Sequence, residues 1–514
     1  MARTSVVEPP SHSPDPQPEQ PAPTDPLDVI VVGAGFGGIG AAVQLHRAGF
    51  HRFAVLEKGE DAGGCWRENT YPGCACDVPS HLYSYSFAPN ADWSRQFAPQ
   101  AEIEHYAADV VDRFGVRDHF RFGVEVLGAA WDETAQVWRI DTSDGPMTSR
   151  VLISAAGPLH QPLIPDLPGL SDFPGPVFHS AEWDHGVDLR GKRVAVIGSG
   201  ASAIQFVPEI AKEAGAVTVF QRTAPWLFAR PDFAISAPLR WAHRHVPGLR
   251  RAHRLLIFSI AEVLGYTQRH PRLNGPVRAT LEAHLRRQVP DPELRARLTP
   301  DYEPGCKRIL FSSDWYPTLQ RPNVDVVSAG VQEIRGNTVI GADGSEYEAD
   351  VIVLGTGFHV TDPPIATAVR GKDGRTLAET WAGSPKAYLG TTVTGFPNLF
   401  LLVGPNSALG HSSIIFVIEQ QLRYVVAALR HMRWNAIGEL DLEPQVQADY
   451  LREVDRRLAG AVWATGGCGS WYLDATGRNA AIWPWSLPRM ALKMRRFDIE
   501  HYRARRKVPT PAAR

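Results

Sequence analysis

The chain has 514 residues, too many for one ordinary core, so two to four domains are expected. With 44% hydrophobic and 21% charged residues its composition is globular, and a formal net charge of -2 supplies no overall field for nucleic acid or an anionic membrane. No uninterrupted apolar run reaches the roughly 18 to 20 residues a membrane-spanning helix needs, and the richest, LLIFSIAEVLG from Leu255, is far shorter.

Residues 1–26 are crowded with Pro, Ser, Asp and Glu and lack periodicity, which predicts a disordered leader rather than a signal peptide. From Leu27 the run LDVIVV has the continuous apolar character of a buried parallel strand. It leads into GAGFGGIG, where Gly33, Gly35 and Gly38 form G-x-G-x-x-G around Phe36, and Ile39, Val43 and Leu45 give the next segment a helical apolar side. A second strand, FAVLE, ends at Glu57, 19 residues after Gly38, with Lys58 next. Such glycines let the backbone turn tightly against a pyrophosphate at a helix N-terminus, and the acid is placed to accept a ribose hydroxyl. This unit is predicted to hold the adenosine half of FAD.

The arrangement recurs. An apolar strand ends at Ile197 and is followed by Gly198, Gly200 and Ala203 as G-x-G-x-x-A, with Ala201, Ser202 and Gln205 around the turn. Its second strand, AVTVF, runs into Gln221, Arg222 and Thr223 where the first unit has an acid. A carboxylate would repel a 2′-phosphate and a guanidinium pairs with it, so this unit is expected to hold NADPH; the plainer alternative is an ordinary surface arginine. Two further strand-and-glycine passages, RVLISAAGPLHQP with Gly157 and ADVIVLGTGFHV with Gly355 and Gly357, are expected to bring the chain back under the first cofactor.

The predicted fold class is α/β, with two Rossmann-like dinucleotide-binding domains, the second inserted in the first. Residues 27–157 are the first part of the FAD domain and 158–339 the NADPH domain, with a helical insertion at about 232–300. Residues 340–514 complete the FAD domain and supply a C-terminal substrate-site region. The insertion is basic, as in RWAHRHVPGLRRAHRLL, which is either a solvated helical face or a surface for an acidic partner. Five cysteines in so long a chain predict no disulfide framework and a reducing cytoplasm. Cys74 and Cys76 are too close for the redox C-x-x-x-x-C of disulfide reductases, and no Cys or His set has zinc-like spacing, so no metal is expected.

Upstream of the second unit, FPGPVFHSAEWD sets Phe173, Gly175, His179, Trp183 and Asp184 in a pattern that is either aromatic packing or a signature. It resembles the fingerprint F-x-G-x-x-x-H-x-x-x-W-[PD] of the type I Baeyer–Villiger monooxygenases. GGCWRENTYPGCACD, with Gly63, Gly64, Trp66, Tyr71, Pro72, Gly73 and Asp77, resembles a second family segment. GCKRILFSSDWYPTL supplies the family's Lys307 and Arg308, and FPNLFLLVGPNSALGHSS contains Asn406 and His411. Together these extend the resemblance over almost everything except the leader.

The resemblance implies FAD and NADPH as cofactors, with Gly64, Trp66, Tyr83, Gly357 and Asn406 among the residues that hold them. It implies that one oxygen atom of O2 enters beside a ketone carbonyl to give an ester or lactone, through a deprotonated C4a-peroxyflavin. Arg308 is then the permanent positive charge beside the peroxide, Asp77 orients it, and Lys307 reaches the NADPH phosphate with Arg222 and Thr223. His179 is functional in coupling the domains. The plainer readings are a surface ion pair for Arg308, a turn cap for Asp77 and a core residue for His179. His411 is either an active-site wall or a helix cap. The aromatics of GGCGSWYLDATGRNAAIWPW suggest a small apolar ketone. Rival functions are oxygenation of amines or sulfides by the same cofactors, and a non-catalytic redox-sensing protein.

Overall fold

The computed structural model describes residues 25–508. The expected leader lies outside them except for its last two residues. The strand Leu27–Val32, with Val29, Ile30 and Val31 fully buried, forms the centre of an eight-stranded sheet. It runs parallel to Phe53–Glu57 on one side (Val31 beside Val55) and to Gly145–Ser154 on the other (Val31 beside Ile153). The sheet continues through Phe120–Phe122 at one edge and, at the other, through the antiparallel strands Val137–Thr142 and Val126–Asp132. Leu399–Leu401 joins it from far along the chain, parallel to Gly145–Ser154. The crossover helix Phe36–Arg47 buries Ile39, Val43 and Leu45 in one core with Ile415, Leu422 and Val425 of the long helix Ile414–Trp434.

A second sheet of five parallel strands has the order Val324–Val327, Ala216–Phe220, Arg193–Ile197, Val351–Leu354, Val177–His179. Its fourth strand is the ADVIVLG passage. That corrects the expected return to the first sheet at about residue 340, which comes only after Leu354. A β-branched apolar run suits any strand buried on both faces, and nothing in its composition names the sheet it joins. The RVLIS passage does lie in the first sheet, against Leu27–Val32.

The stretch expected to be helical carries Ala237–His245, Leu249–Arg269, Gly275–Gln288 and Pro292–Arg297. Its basic residues are not merely solvated. Arg254 Nη1 donates to the carbonyls of His81 (3.0 Å), Leu82 (3.1 Å) and Ser84 (2.9 Å), Arg250 Nη1 to that of Pro89 (3.3 Å), and Arg244 pairs with Asp92. Guanidinium groups, with five donors each, thus dock these helices onto the 81–92 loop of the first unit. Among the described residues, no helix is long and apolar enough to cross a membrane.

Five cysteines predict no disulfide framework, yet one pair, Cys306 and Cys468, is disulfide-linked across 162 residues, leaving Cys65, Cys74 and Cys76 free. Sequence spacing gives no sign of which distant thiols meet. The link ties the stretch that carries Lys307 and Arg308 to the C-terminal region. Thiol titration of the unfolded chain is expected to count the three free cysteines without reductant and all five with it. Five under both conditions would contradict the pairing.

Candidate active site

The first glycine turn is built for close approach. A Cβ on Gly38 would lie 1.8 Å from the Gly33 carbonyl oxygen, and one on Gly64 2.7 Å from the Gly35 Cα. The helix beginning at Phe36 has no side-chain cap, so its first amides are free for an anion. Glu57 is buried at the strand end, accepting from Ala34 N (2.7 Å) and Gly59 N (2.9 Å), with Arg67 Nη2 at 3.8 Å. Phe36 and Trp66 each place their rings 5.5 Å from Tyr83, and Trp66 Nε1 donates to the Tyr83 hydroxyl at 2.8 Å. Lys58 is exposed beside this group. The predicted Gly33, Gly35, Phe36, Gly38, Glu57, Gly64, Trp66 and Tyr83 therefore gather at one end of the sheet.

In the second unit Gly198 has φ +113°, and a Cβ there would sit 2.4 Å from the Gly355 carbonyl oxygen. The helix Ala203–Ile210 also starts without a side-chain cap, after the loop of Gly200, Ala201 and Ser202. Burial first, and the nearby Arg222 charge second, pull the Lys307 ammonium below its usual range against the opposing Asp301 charge. Thr223 is beside them, its carbonyl accepting from Ser199 Oγ at 3.3 Å. Neighbouring Arg222 and Lys307 cations suit a dianionic phosphate. Arg222→Ala or Lys307→Ala is expected to raise the KM for NADPH about 10- to 100-fold, the loss of a charged hydrogen bond. Steady-state kinetics with NADH, which lacks that phosphate, should change little; equal losses with both would contradict the assignment.

Gln205, after the second glycine turn, uses its side chain to bridge to the first unit. Its side chain accepts from the Tyr71 hydroxyl (3.0 Å) and Ala75 N (3.3 Å) and donates to Ala75 O (3.0 Å). It joins the two units, and no donor or acceptor pattern in the sequence shows that.

Arg308 and Asp77, 231 positions apart, form a bidentate pair: Nε to Oδ2 and Nη2 to Oδ1, each 2.9 Å. A third donor, Nη1, reaches the Leu409 carbonyl at 3.3 Å. Burial opposes the Arg308 charge, but Asp77 more than compensates and the guanidinium is held above its usual range. Asp77 is therefore an anchor for Arg308 and not a turn cap. Tyr472 also feels both charges, and burial pushes its hydroxyl up to about 12. That hydroxyl has no hydrogen-bond partner, nor has either end of the buried Gln268 amide. The two converge at Gly410, where a Cβ would be 3.5 Å from Gln268 Oε1 and 3.6 Å from the Tyr472 oxygen. Unpartnered buried polar atoms in one place mark where a polar ligand fits. Sequence reasoning missed Gln268, which carries no local motif, and picked out Tyr472 only among the C-terminal aromatics.

The chain as a whole resembles known enzymes. The Baeyer-Villiger monooxygenase of Streptomyces coelicolor is 51% identical over 486 residues, covering 94% of this chain and 93% of that one. The chain belongs to the Baeyer–Villiger monooxygenase family. A Baeyer-Villiger monooxygenase of Pseudomonas aeruginosa is 43% identical over 94% of this chain and 92% of its own. Cyclohexanone monooxygenase from Rhodococcus sp. Phi1 bound to NADP+ superposes with a TM-score of 0.83 at 27% identity, over 94% of this chain and 100% of that one. Oxidized steroid monooxygenase bound to NADP gives 0.82 at 30%, with the same coverages. Residues 30–240 also match the broader family described as pyridine nucleotide-disulphide oxidoreductase.

In this Baeyer–Villiger monooxygenase the fingerprint forms the edge of the second sheet. A Cβ on Gly175 would be 2.2 Å from the Asp350 carbonyl oxygen, and Trp183 packs on Phe178 (5.1 Å) and Phe206 (5.3 Å). His179 pairs in register with Leu354, and its Nδ1 accepts from Ala181 N at 3.1 Å. Burial pushes its ring down to about 4, against an opposing contact with the Gly357 backbone. It is thus neutral at pH 7 and sits under the 355–358 connection, a positioning place. Because the folded ring resists protonation while the unfolded one titrates near 6.5, stability is lost as pH falls from 6.5 towards 4, by about 3 kcal/mol. Urea unfolding at several pH values should show that slope reduced in His179→Gln; an unchanged slope would contradict the burial argument.

Asn406 was expected to hold cofactor, yet its side chain is taken by protein. Nδ2 donates to Asn479 O (2.8 Å) and Ile482 O (3.3 Å), and Oδ1 accepts from Arg478 Nη2 (2.8 Å). His411 is no helix cap: its buried Nε2 lies 2.9 Å from Glu262 Oε1 on the helix Leu249–Arg269. Of the C-terminal aromatics, Trp483 and Trp485 are core and Trp471 is exposed, leaving Tyr472 as the one beside Arg308.

Proposed function

We propose that this Baeyer–Villiger monooxygenase uses FAD and NADPH to insert one atom of O2 beside the carbonyl of a small apolar ketone, giving an ester or lactone. The bidentate Arg308–Asp77 pair carries this reading. The residues fit the cofactors: uncapped helix amides and a glycine cradle with Glu57 for FAD, and a second uncapped turn with Arg222 and Lys307 for NADPH. Bound FAD, once reduced by NADPH, supplies the activation of O2 that side chains cannot provide.

The chain's own contribution is electrostatic. Arg308 keeps its charge throughout the working pH range and offers hydrogen bonds without surrendering a proton, so negative charge that develops on the reacting oxygen is stabilised. Preorganised charge of this kind contributes about 3 to 4 kcal/mol. Asp77 fixes the plane of the guanidinium, and Leu409 O holds its third nitrogen. Tyr472 stays protonated, and with Gln268 it offers hydrogen bonds to a carbonyl substrate. His179, neutral and buried, positions the connection between the sheets.

Amine or sulfide oxygenation by the same cofactors calls for a proton donor at the reacting oxygen, which a guanidinium does not supply. Presenting a ketone and a sulfide in parallel with NADPH should give the ester as the main product. Sulfoxide formed while ketone is untouched would replace this reading with its rival. In this reading the enzyme works in the cytoplasm, where NADPH is supplied; the Cys306–Cys468 link is the feature that argues for an oxidising setting instead.

A further inference from the structure

We propose that His81, His243 and His253 form a binding site for a divalent ion of the zinc class, which clips the helices Ala237–His245 and Leu249–Arg269 to the first nucleotide unit. Each residue offers a ring nitrogen, and the three lie within 4.8 Å of one another. His243 Nε2 and His253 Nδ1 are 3.3 Å apart, which is about the nitrogen–nitrogen edge of a tetrahedral zinc with bonds near 2.0–2.1 Å. The ring centroids lie 4.3, 5.0 and 5.2 Å apart.

His243 Nε2 and His253 Nδ1 are at hydrogen-bond distance from each other, but packing does not account for the His81 nitrogen. His81 and His243 are 5% and 2% exposed, and His81 Nε2 and His243 Nδ1 have no hydrogen-bond partner. Buried polar atoms are normally paired, so the orphaned His81 Nε2, beside the facing His243 Nε2 and His253 Nδ1, points to a missing ligand. Burial, reinforced by the neighbouring rings and the Arg250 and Arg254 charges, pushes His81 down to about 3, and burial first also lowers His243 and His253. Neutral imidazole is the form that binds metal. The two arginines weaken the attraction of a dication, but Arg254 is committed to the carbonyls of His81, Leu82 and Ser84 and lies 4.0 Å from Glu419. A nitrogen-only set selects zinc, copper or nickel over calcium or magnesium.

The placement gives the ion a structural task. His81 lies on the segment that carries Asp77 and Tyr83, while His243 and His253 come from two successive helices of the 232–300 stretch. One ion would bind three pieces of chain otherwise joined here by arginine–carbonyl contacts.

The test uses untagged, flavin-loaded protein, stripped with EDTA, equilibrated with about 20 µM zinc chloride, desalted and assayed for metal by mass spectrometry. About one zinc per chain is expected, with a rise in melting temperature. His253→Gln, at the half-buried rim, and His81→Gln should each lower retained zinc about tenfold or more and remove the melting shift. Flavin absorbance and the zinc-free melting temperature report whether each variant is folded. Less than about a tenth of a zinc on folded wild type, or equal zinc on wild type and a folded variant, would overturn the proposal. Wild-type uptake alone decides it if both variants misfold.

Discussion

Arg308→Ala is expected to leave reduction of the flavin by NADPH within about twofold of wild type while ester formation falls by about a thousandfold, the size of a lost preorganised charge. The two steps separate because Arg222 and Lys307, not Arg308, meet the nicotinamide cofactor's phosphate in this account. NADPH oxidation should then continue with its electrons leaving as hydrogen peroxide. Arg308→Lys should rescue little, since a single ammonium cannot span both Asp77 oxygens, each now 2.9 Å from its own guanidinium nitrogen, and also reach Leu409 O. Stopped-flow bleaching of the flavin and mass analysis of the product measure the steps separately. An unchanged ester yield would remove Arg308 from its role.

Gly38→Ala should cost the enzyme its flavin. The added carbon would fall 1.8 Å from the Gly33 carbonyl oxygen, a backbone atom that cannot swing aside as a long side chain can. The turn has to open, and the amides of the uncapped helix then lose their aim at a pyrophosphate. The purified variant is expected to carry less than about a tenth of the wild-type flavin per chain at similar helix content. Absorbance against protein concentration, with circular dichroism as a folding control, reads this directly. A fully yellow variant would mean that the first turn does not hold the cofactor.

Much of the scaffold is legible in the sequence because parallel strands buried on both faces are continuous apolar runs, and LDVIVV, FAVLE and RVAVI stand out as such. The same property misplaces the domain return: VIVL at Val351–Leu354 fits either sheet equally, and only its neighbours Arg193–Ile197 and Val177–His179 say which it joined. The glycine turns announce themselves through spacing. The Arg308–Asp77 pair does not, since no periodicity connects residues 231 apart, and a family resemblance was needed to couple them. Gln268 lacks even that, and Tyr472 stands out only as one of several C-terminal aromatics. Their importance comes from orphaned polar atoms, a property of packing, and the Cys306–Cys468 link and the three converging histidines are likewise matters of tertiary approach. The Asn406 amide, in a suggestive stretch, is held by the Asn479 and Ile482 carbonyls and by Arg478, partners that no local pattern announces.

The central claim is that this chain transfers an atom of O2 to a ketone. Turnover of a ketone with NADPH under isotopically labelled O2, followed by mass analysis, tests it most directly. The account predicts an ester or lactone carrying one labelled atom, formed in step with NADPH consumption. Unaltered ketone alongside consumed NADPH and accumulating hydrogen peroxide, across a panel of small apolar ketones, would contradict it.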